Sequence, residues 1–479
     1  MTPTPWTDAD VMAALDLAVP VNRRNGGNGS RPEASWYASV GTDTRTLEEG
    51  ALFVALRGEN FDGHAFLAQA AEKGARAAVV DRVPEDAPPL RYYRVPDTLM
   101  ALGRLGRYHR RELGGRVAAI TGTNGKTTTK EMARAVLATR YATHATSGNL
   151  NNLIGAPLTL LAARQGSEAL VVEVGTNAPG EIARLAELVE PDVGIITGVA
   201  EGHLEGFGTL EGVLREKTSL LARLRPGESG GMAIVADEPA SLAERARSLT
   251  RRVRVAGWTD RADDDLRATD LRIDADGTVH FRWQGRYGAL PFGGAVHVRN
   301  ALLALALGLE WGVDPDDALA ALAALEPPKL RGETRRFGEL TVLVDCYNSN
   351  PASLEAAVET MTRMPRRGGR VVVVGSMLEL GTRSEALHRR SAEALAAADV
   401  DLIVATGLFG TAFRALDAGL GDRLIVAEDP MDALAPMTAR MTGDEVVLLK
   451  GSRGVALERL LPELEARFAG GPTDTGKGD

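Results

Sequence analysis

A chain of 479 residues is too long for one ordinary hydrophobic core, and its length predicts roughly three domains. With 44% hydrophobic and 25% charged residues it has the composition of a soluble globular protein, and its formal charge of -9 argues against a nucleic-acid binder. No apolar run reaches membrane-spanning length, MTPTPWTDAD lacks a basic-then-apolar leader, and the single cysteine, Cys346, excludes an intrachain disulfide and a cysteine-based zinc site; a cytoplasmic enzyme is expected.

Only seven of the 55 basic residues are lysines, so arginine is the default cation of this chain. A retained lysine therefore suggests chemistry that a guanidinium cannot do, as a compact point charge or a modifiable amine. Lys126, Lys217 and Lys450 all fall in segments singled out below.

The first hundred residues read as a small α/β unit, with an apolar run at Ala51 to Leu56, a helical pattern from Ala65 to Lys73 and another apolar run at Ala77 to Val80. Asp43-Thr44-Arg45 and the segment Gly58 to His64 have the composition of turns, and VNRRNGGNGSRPE at 21–33 reads as a surface loop. From about residue 113, buried strands at Val117 to Ile120, Leu170 to Val174 and Val193 to Thr197 alternate with helical segments, which implies a parallel sheet covered on both faces. Ligands bind such sheets at the C-terminal strand ends.

At the first of those ends stands Thr121-Gly122-Thr123-Asn124-Gly125-Lys126-Thr127-Thr128-Thr129. Gly122 and Gly125 let backbone amides turn onto an anion, the helix beginning near Thr127 adds its unpaired N–H groups, Lys126 would reach the terminal phosphates and Thr127 would hold Mg²⁺. The loop is a shortened variant, because Ile120 stands where the usual triphosphate signature has its first glycine. Phosphate chemistry also needs metal-holding carboxylates and cations, and Glu173, His203 and Lys217 are the candidates. Singly, each also fits an ordinary role: a satisfied strand-end carboxylate, a loop histidine, a solvated helix lysine.

Residues 253–297 switch to short alternating segments with turns such as Asp276-Gly277, a β-rich annex, after which Asn300 opens an apolar helix. EPPKLR at 326–331 reads as a linker. Strands at Thr341 to Asp345, Arg370 to Gly375, Asp401 to Thr406, Leu424 to Ala427 and Glu445 to Lys450 then predict a doubly wound, Rossmann-like domain without the glycine signature of dinucleotide binding. The final AGGPTDTGKGD reads as disordered, and no internal repeat is present.

TGTNGKTTTKEM, TSGNLNNLIGAPLTLL, VVEVGTNAPGEI, GVAEGHLEGFGTLEGVLREKTSLL, DCYNSNPASLEAAVETM and GSMLELG, with GTDTRTLEEGALFVALRGENFDGHAF near the N-terminus, resemble the Mur ligase family of peptidoglycan synthesis over nearly the whole chain. The nearest branch is the one that joins D-alanyl-D-alanine to UDP-N-acetylmuramoyl-tripeptide. The resemblance implies three α/β domains: 1–112 binding the UDP-sugar-peptide, 113–326 a central ATP-binding P-loop domain with its β-rich annex, and 327–479 a Rossmann-like domain that closes on ATP and binds the dipeptide. It implies ATP and Mg²⁺ as cofactors, an acyl-phosphate route to the pentapeptide, and a monomer, which the absence of a coiled-coil heptad also suggests.

By the same resemblance Gly122, Thr123, Asn124, Gly125, Lys126, Thr127 and Thr128 bind ATP phosphates, Asn300 contacts adenine, and Arg331 and Asp345 close over the nucleotide. Thr127, Glu173, His203 and a carbamoylated Lys217 hold Mg²⁺. Thr44, Arg45, Asp62, Gly63 and His64 hold the uridine diphosphate end, Asn151 and Asn152 lie near the reacting peptide, and Asn348, Ser349 and Asn350 near the incoming dipeptide. Three positions depart from the pattern: Ala178 replaces a usual histidine, VHVRN replaces the commoner HNVxN, and Ser376 replaces a frequent aspartate. Two other readings are a sister ligase adding a single amino acid, against which NSNPAS argues, and a non-catalytic nucleotide-binding module, against which joint retention of Glu173, His203 and Lys217 argues.

Overall fold

The computed structural model describes residues 5–17, 36–58, 61–202, 204–226, 231–365, 367–416 and 419–470. His203, the expected loop at 21–33 and most of the expected disordered tail lie outside them.

The N-terminal unit is a four-stranded parallel sheet, β1 (Val40–Gly41), β2 (Leu52–Val54), β3 (Ala77–Val80) and β4 (Arg91–Arg94), in that order. Helix α1 (Asp8–Ala14), capped reciprocally by Thr7 and Asp10, packs with α2 (Leu67–Glu72) and α3 (Thr98–Leu113) around it. Val11, Leu52, Val54, Val79, Leu102 and Leu105 are fully buried in one apolar cluster of this unit.

The central sheet begins at β5 (Arg116–Thr121), which feeds the glycine turn and then α4 (Lys126–Ala138). It continues with β6 (Thr143–Ala145), α5 (Gly155–Ala162), β7 (Ala169–Glu173), α6 (Glu181–Val189), β8 (Val193–Ile196), α7 (Leu210–Thr218), β9 (Met232–Ala236), α8 (Ala240–Leu249) and β10 (Arg252–Ala256). The strands run parallel in the order β10-β9-β8-β5-β7-β6, so the glycine turn leaves a strand at the middle of the sheet. That is a topological switch point, where the helices after neighbouring strands diverge and leave a crevice.

The expected annex is a three-stranded antiparallel sheet, β11 (Ala268–Ile273), β12 (Val279–Trp283) and β13 (Arg286–Leu290). Helix α9 starts at Ala295, not at Asn300, and runs to Glu310; α10 (Pro315–Ala323) follows. Asn300 is therefore in the second turn of α9, because the two glycines ahead of Ala295 end the annex and let the helix begin early.

Beyond the linker, β14 (Glu333–Phe337), β15 (Leu340–Asp345), α11 (Pro351–Arg363), β16 (Arg370–Val374), α12 (Ser384–Ala397), β17 (Leu402–Thr406), α13 (Leu408–Leu416), β18 (Leu424–Ala427) and β19 (Val446–Lys450) form a sheet of order β14-β15-β19-β16-β17-β18. All pairs are parallel except the edge hairpin β14–β15, which was not expected because ETRRF is too polar to read as a strand. One apolar cluster runs from Ala118 and Ile120 under the glycine turn, through Leu302 to Leu307 on α9, to Leu343 and Leu448 in this second sheet. The two sheets are thereby joined through α9.

Candidate functional site

Every central strand end contributes to one cleft of about 940 Å³, lined by residues of the 123–128 turn, by Asn151, Glu173 and Asn300, and from beyond the linker by Arg331, Asp345, Asn348 and Lys450. The turn is held open by glycine geometry. Gly125 has φ +82, and a Cβ there would meet Asn300 Oδ1 at 2.5 Å. No side chain caps α4, so its first N–H groups stay available to an anion. Lys126 Nζ folds back onto the turn, donating to the carbonyls of Gly122 (3.0 Å) and Thr123 (3.3 Å). Protein atoms strip water from this ammonium and lower its pKa, a shift that Glu173 opposes and Arg331 reinforces.

Glu173 ends β7 and pairs in register with Ile120 of β5, so it sits beside the turn. It is buried; Oε1 accepts from Asn151 Nδ2 (2.7 Å), its backbone N–H donates to Thr146 Oγ1 (2.9 Å), and among the described residues Oε2 has no hydrogen-bond partner. Behind it, the fully buried Lys130 Nζ donates to the Thr146 carbonyl (2.7 Å) and pairs with Glu131 (2.7 Å), which pins the strand carrying that hydroxyl. Lys217, near the end of α7, is also fully buried, and among the described residues its Nζ has no hydrogen-bond partner. Burial, and then the charge of Lys126, push its pKa well down, against the pull of Glu216 and Glu181. A buried carboxylate oxygen and a buried amine, both unpartnered, are costly unless a ligand completes them.

Across the cleft, Asp345 and Lys450 are paired in register at the ends of β15 and β19, with an ion pair of 3.0 Å. Lys450 Nζ also donates to the Asn348 carbonyl (2.6 Å), which fixes the start of the 348–350 segment. Arg331 stacks on Tyr347 with its Cζ 3.8 Å from the ring centroid. His297 of α9 lies among these groups; burial pushes its pKa down to about 4, with Lys450 and Arg331 adding to the shift and Asp345 opposing it.

Comparison with known proteins supplies the family. Residues 37–109 match the "Mur ligase family, catalytic domain", 120–308 the "Mur ligase middle domain" and 331–453 the "Mur ligase, glutamate ligase domain". The UDP-N-acetylmuramoyl-tripeptide–D-alanyl-D-alanine ligase of Bacillus subtilis is 36% identical over 89% of this chain and 92% of its own length. The chain belongs to the Mur ligase family. Among solved structures, MurF from Acinetobacter baumannii superposes on this Mur ligase with a TM-score of 0.84 at 31% identity, covering 97% of this chain and 100% of that one. MurF from Thermotoga maritima in complex with ADP gives a TM-score of 0.76 at 27% identity, covering 90% and 97%.

Not every expected residue of this ligase reaches the cleft. Among the described residues, none before 113 lines it. Thr44 Oγ1 donates to Gln69 Oε1 (2.6 Å), Arg45 is exposed and paired with Asp43 (2.6 Å), and Gly63 and His64 are buried. The His64 ring is held between Asp62, bonded to Nδ1 at 2.7 Å, and the Asp81 N–H, which donates to Nε2 at 3.2 Å, so it organises its turn from within. Asn152 caps the start of α5, accepting from Gly155 N–H (2.8 Å), and Ser349 and Asn350 lie buried beneath the cleft wall. His297 and Lys450 line the cleft without having been expected as site residues. Lys450 carried one usable signal, the rarity of lysine in this chain.

Proposed function

We propose that this chain is an ATP-dependent acid–D-amino-acid ligase that joins D-alanyl-D-alanine to UDP-N-acetylmuramoyl-tripeptide, forming the pentapeptide used in peptidoglycan synthesis, and that it works in the cytoplasm as a monomer. The observation that carries the reading is the cleft itself, where an uncapped phosphate turn, a Glu173 Oε2 with no partner among the described residues, and Asn348 from beyond the linker converge. ATP supplies the activation: it converts the tripeptide's terminal carboxylate into an acyl phosphate, releasing ADP, and the dipeptide amine then displaces phosphate.

The chain's own residues do the rest. Gly122 to Thr128 present backbone N–H groups to the phosphates, and Lys126 swings from its carbonyl contacts to offset repulsion between carboxylate and triphosphate. Asn300 supports the turn from below and, with Arg331 and Asp345, borders the nucleotide. Thr127, Glu173, His203 and Lys217 would hold Mg²⁺; His203 lies outside the described residues, while among them Glu173 Oε2 has no hydrogen-bond partner and Lys217 is a buried amine of depressed pKa. A neutral amine takes up CO₂, and the resulting carbamate is an anionic oxygen ligand where the lysine was none. Among the described residues no group of three or more His, Cys, Asp or Glu side chains is placed to hold a metal ion.

Residues 1–112 are assigned to the UDP-sugar-peptide, with Thr44, Arg45 and the 62–64 turn at its diphosphate end; 113–326 to ATP and the reacting carboxylate beside Asn151 and Asn152; and 327–479 to the dipeptide, at Asn348, Ser349 and Asn350. The test is phosphate release from ATP with UDP-N-acetylmuramoyl-tripeptide, comparing D-alanyl-D-alanine, single amino acids and no acceptor. Release and pentapeptide formation with the dipeptide alone are expected. Turnover only with a single amino acid, or none with any acceptor, overturns the reading.

A further inference from the structure

The phosphate turn and the acceptor segment touch directly. Asn124 Nδ2 donates to Asn350 Oδ1 (3.2 Å), and Asn350 Nδ2 donates back to Asn124 Oδ1 (2.7 Å), a reciprocal amide pair between residues 226 positions apart. Asn350 is also the N-cap of α11: its Oδ1 accepts from the Ser353 N–H (3.0 Å), and its own N–H donates to Ser353 Oγ (3.0 Å). One side-chain oxygen therefore serves both the phosphate turn and the first turn of a helix whose Ala352, Ser353, Glu355 and Ala356 line the cleft.

A second tie runs beside the first. Thr123 Oγ1 accepts from the Ala200 N–H (3.1 Å), and the next residue, Glu201, pairs with Arg383 (2.8 Å), the N-cap of α12, and with Arg390 in its middle. The turn is thus tied to the segment beyond the linker directly at the start of α11 and, through residues 200–201, at α12.

We propose that Asn124 is a positioning residue for the acceptor segment: through its amide pair with Asn350 it sets the orientation of residues 348–353, so that phosphate-turn geometry and acceptor affinity are coupled. The coupling is reciprocal by thermodynamic necessity. This rests on the functional reading above, in which 348–350 meets the dipeptide, and extends it by giving a phosphate-turn side chain a role on the acceptor side.

Three variants test it: Asn124→Ala, Asn350→Ser, which keeps a helix-capping oxygen but is too short to reach Asn124, and the double variant. Each single change is expected to raise KM for D-alanyl-D-alanine about tenfold with KM for ATP changed less than about threefold, and the double is expected to be no worse than either single. Additive effects, or an increase confined to KM for ATP, overturn the proposal. A readout independent of turnover is hydrogen exchange of the ligand-free protein. Loss of protection at the amides of residues 352–354 in Asn124→Ala is expected, and unchanged protection there overturns the coupling. Absence of any dipeptide turnover in the unaltered enzyme would instead sink the functional reading, leaving the exchange result to stand by itself.

Discussion

Lys217 sits fully buried, with no acceptor for its ammonium among the described residues and with Lys126 as a charged neighbour, conditions that favour the neutral amine. Arginine cannot shed its charge or form a carbamate, so Lys217→Arg is expected to lower kcat by roughly a thousandfold or more while leaving the far-UV spectrum intact. His297 offers a test by pH. Its folded pKa of about 4 lies below the ordinary value of 6.5, so the unfolded chain takes up a proton that the folded protein refuses. Stability from this residue is complete above pH 6.5 and is lost as pH falls toward 4, by up to about 3 kcal/mol. Urea midpoints at pH 7.5 and 5 are expected to differ less in His297→Gln than in the unaltered protein. At this scale the turn residues and Glu173 were legible, because motif spacing places them; Lys450 showed only through the rarity of lysine, and His297 not at all, because its charged neighbours Asp345 and Lys450 come from far along the chain.

The phosphate turn is the element whose conformation is least tolerant. Gly125→Ala would strain a positive φ and drive a methyl into Asn300 Oδ1, and is expected to weaken ADP binding at least tenfold by calorimetry without unfolding α4. Alternation of apolar runs with helical patterns made both parallel sheets legible, since strands covered on two faces are apolar throughout. The hairpin strand β14 escaped notice because an edge strand packs only one face and ETRRF spends its remaining positions on charge. Strand order escaped too: nothing local says that β5 lies between β8 and β7, although that order is what sets Glu173 beside Lys126.

Across the whole molecule, the expected change at 327 falls between α10 and β14, whereas that at 113 falls on the last residue of α3; the family matches cover 37–109, 120–308 and 331–453. The apolar cluster that passes through α9 makes the two larger sheets mechanical neighbours, a fact that no run of residues announces. Monomeric behaviour is expected in solution, with a light-scattering mass near 50.7 kDa; twice that mass would refute it.

The pairing of Asn124 with Asn350 also bears on how the chain is made. A ribosome delivers the phosphate turn more than two hundred residues before its amide partner. Until residues 348–356 follow, the phosphate turn has neither its amide partner nor that wall of the cleft.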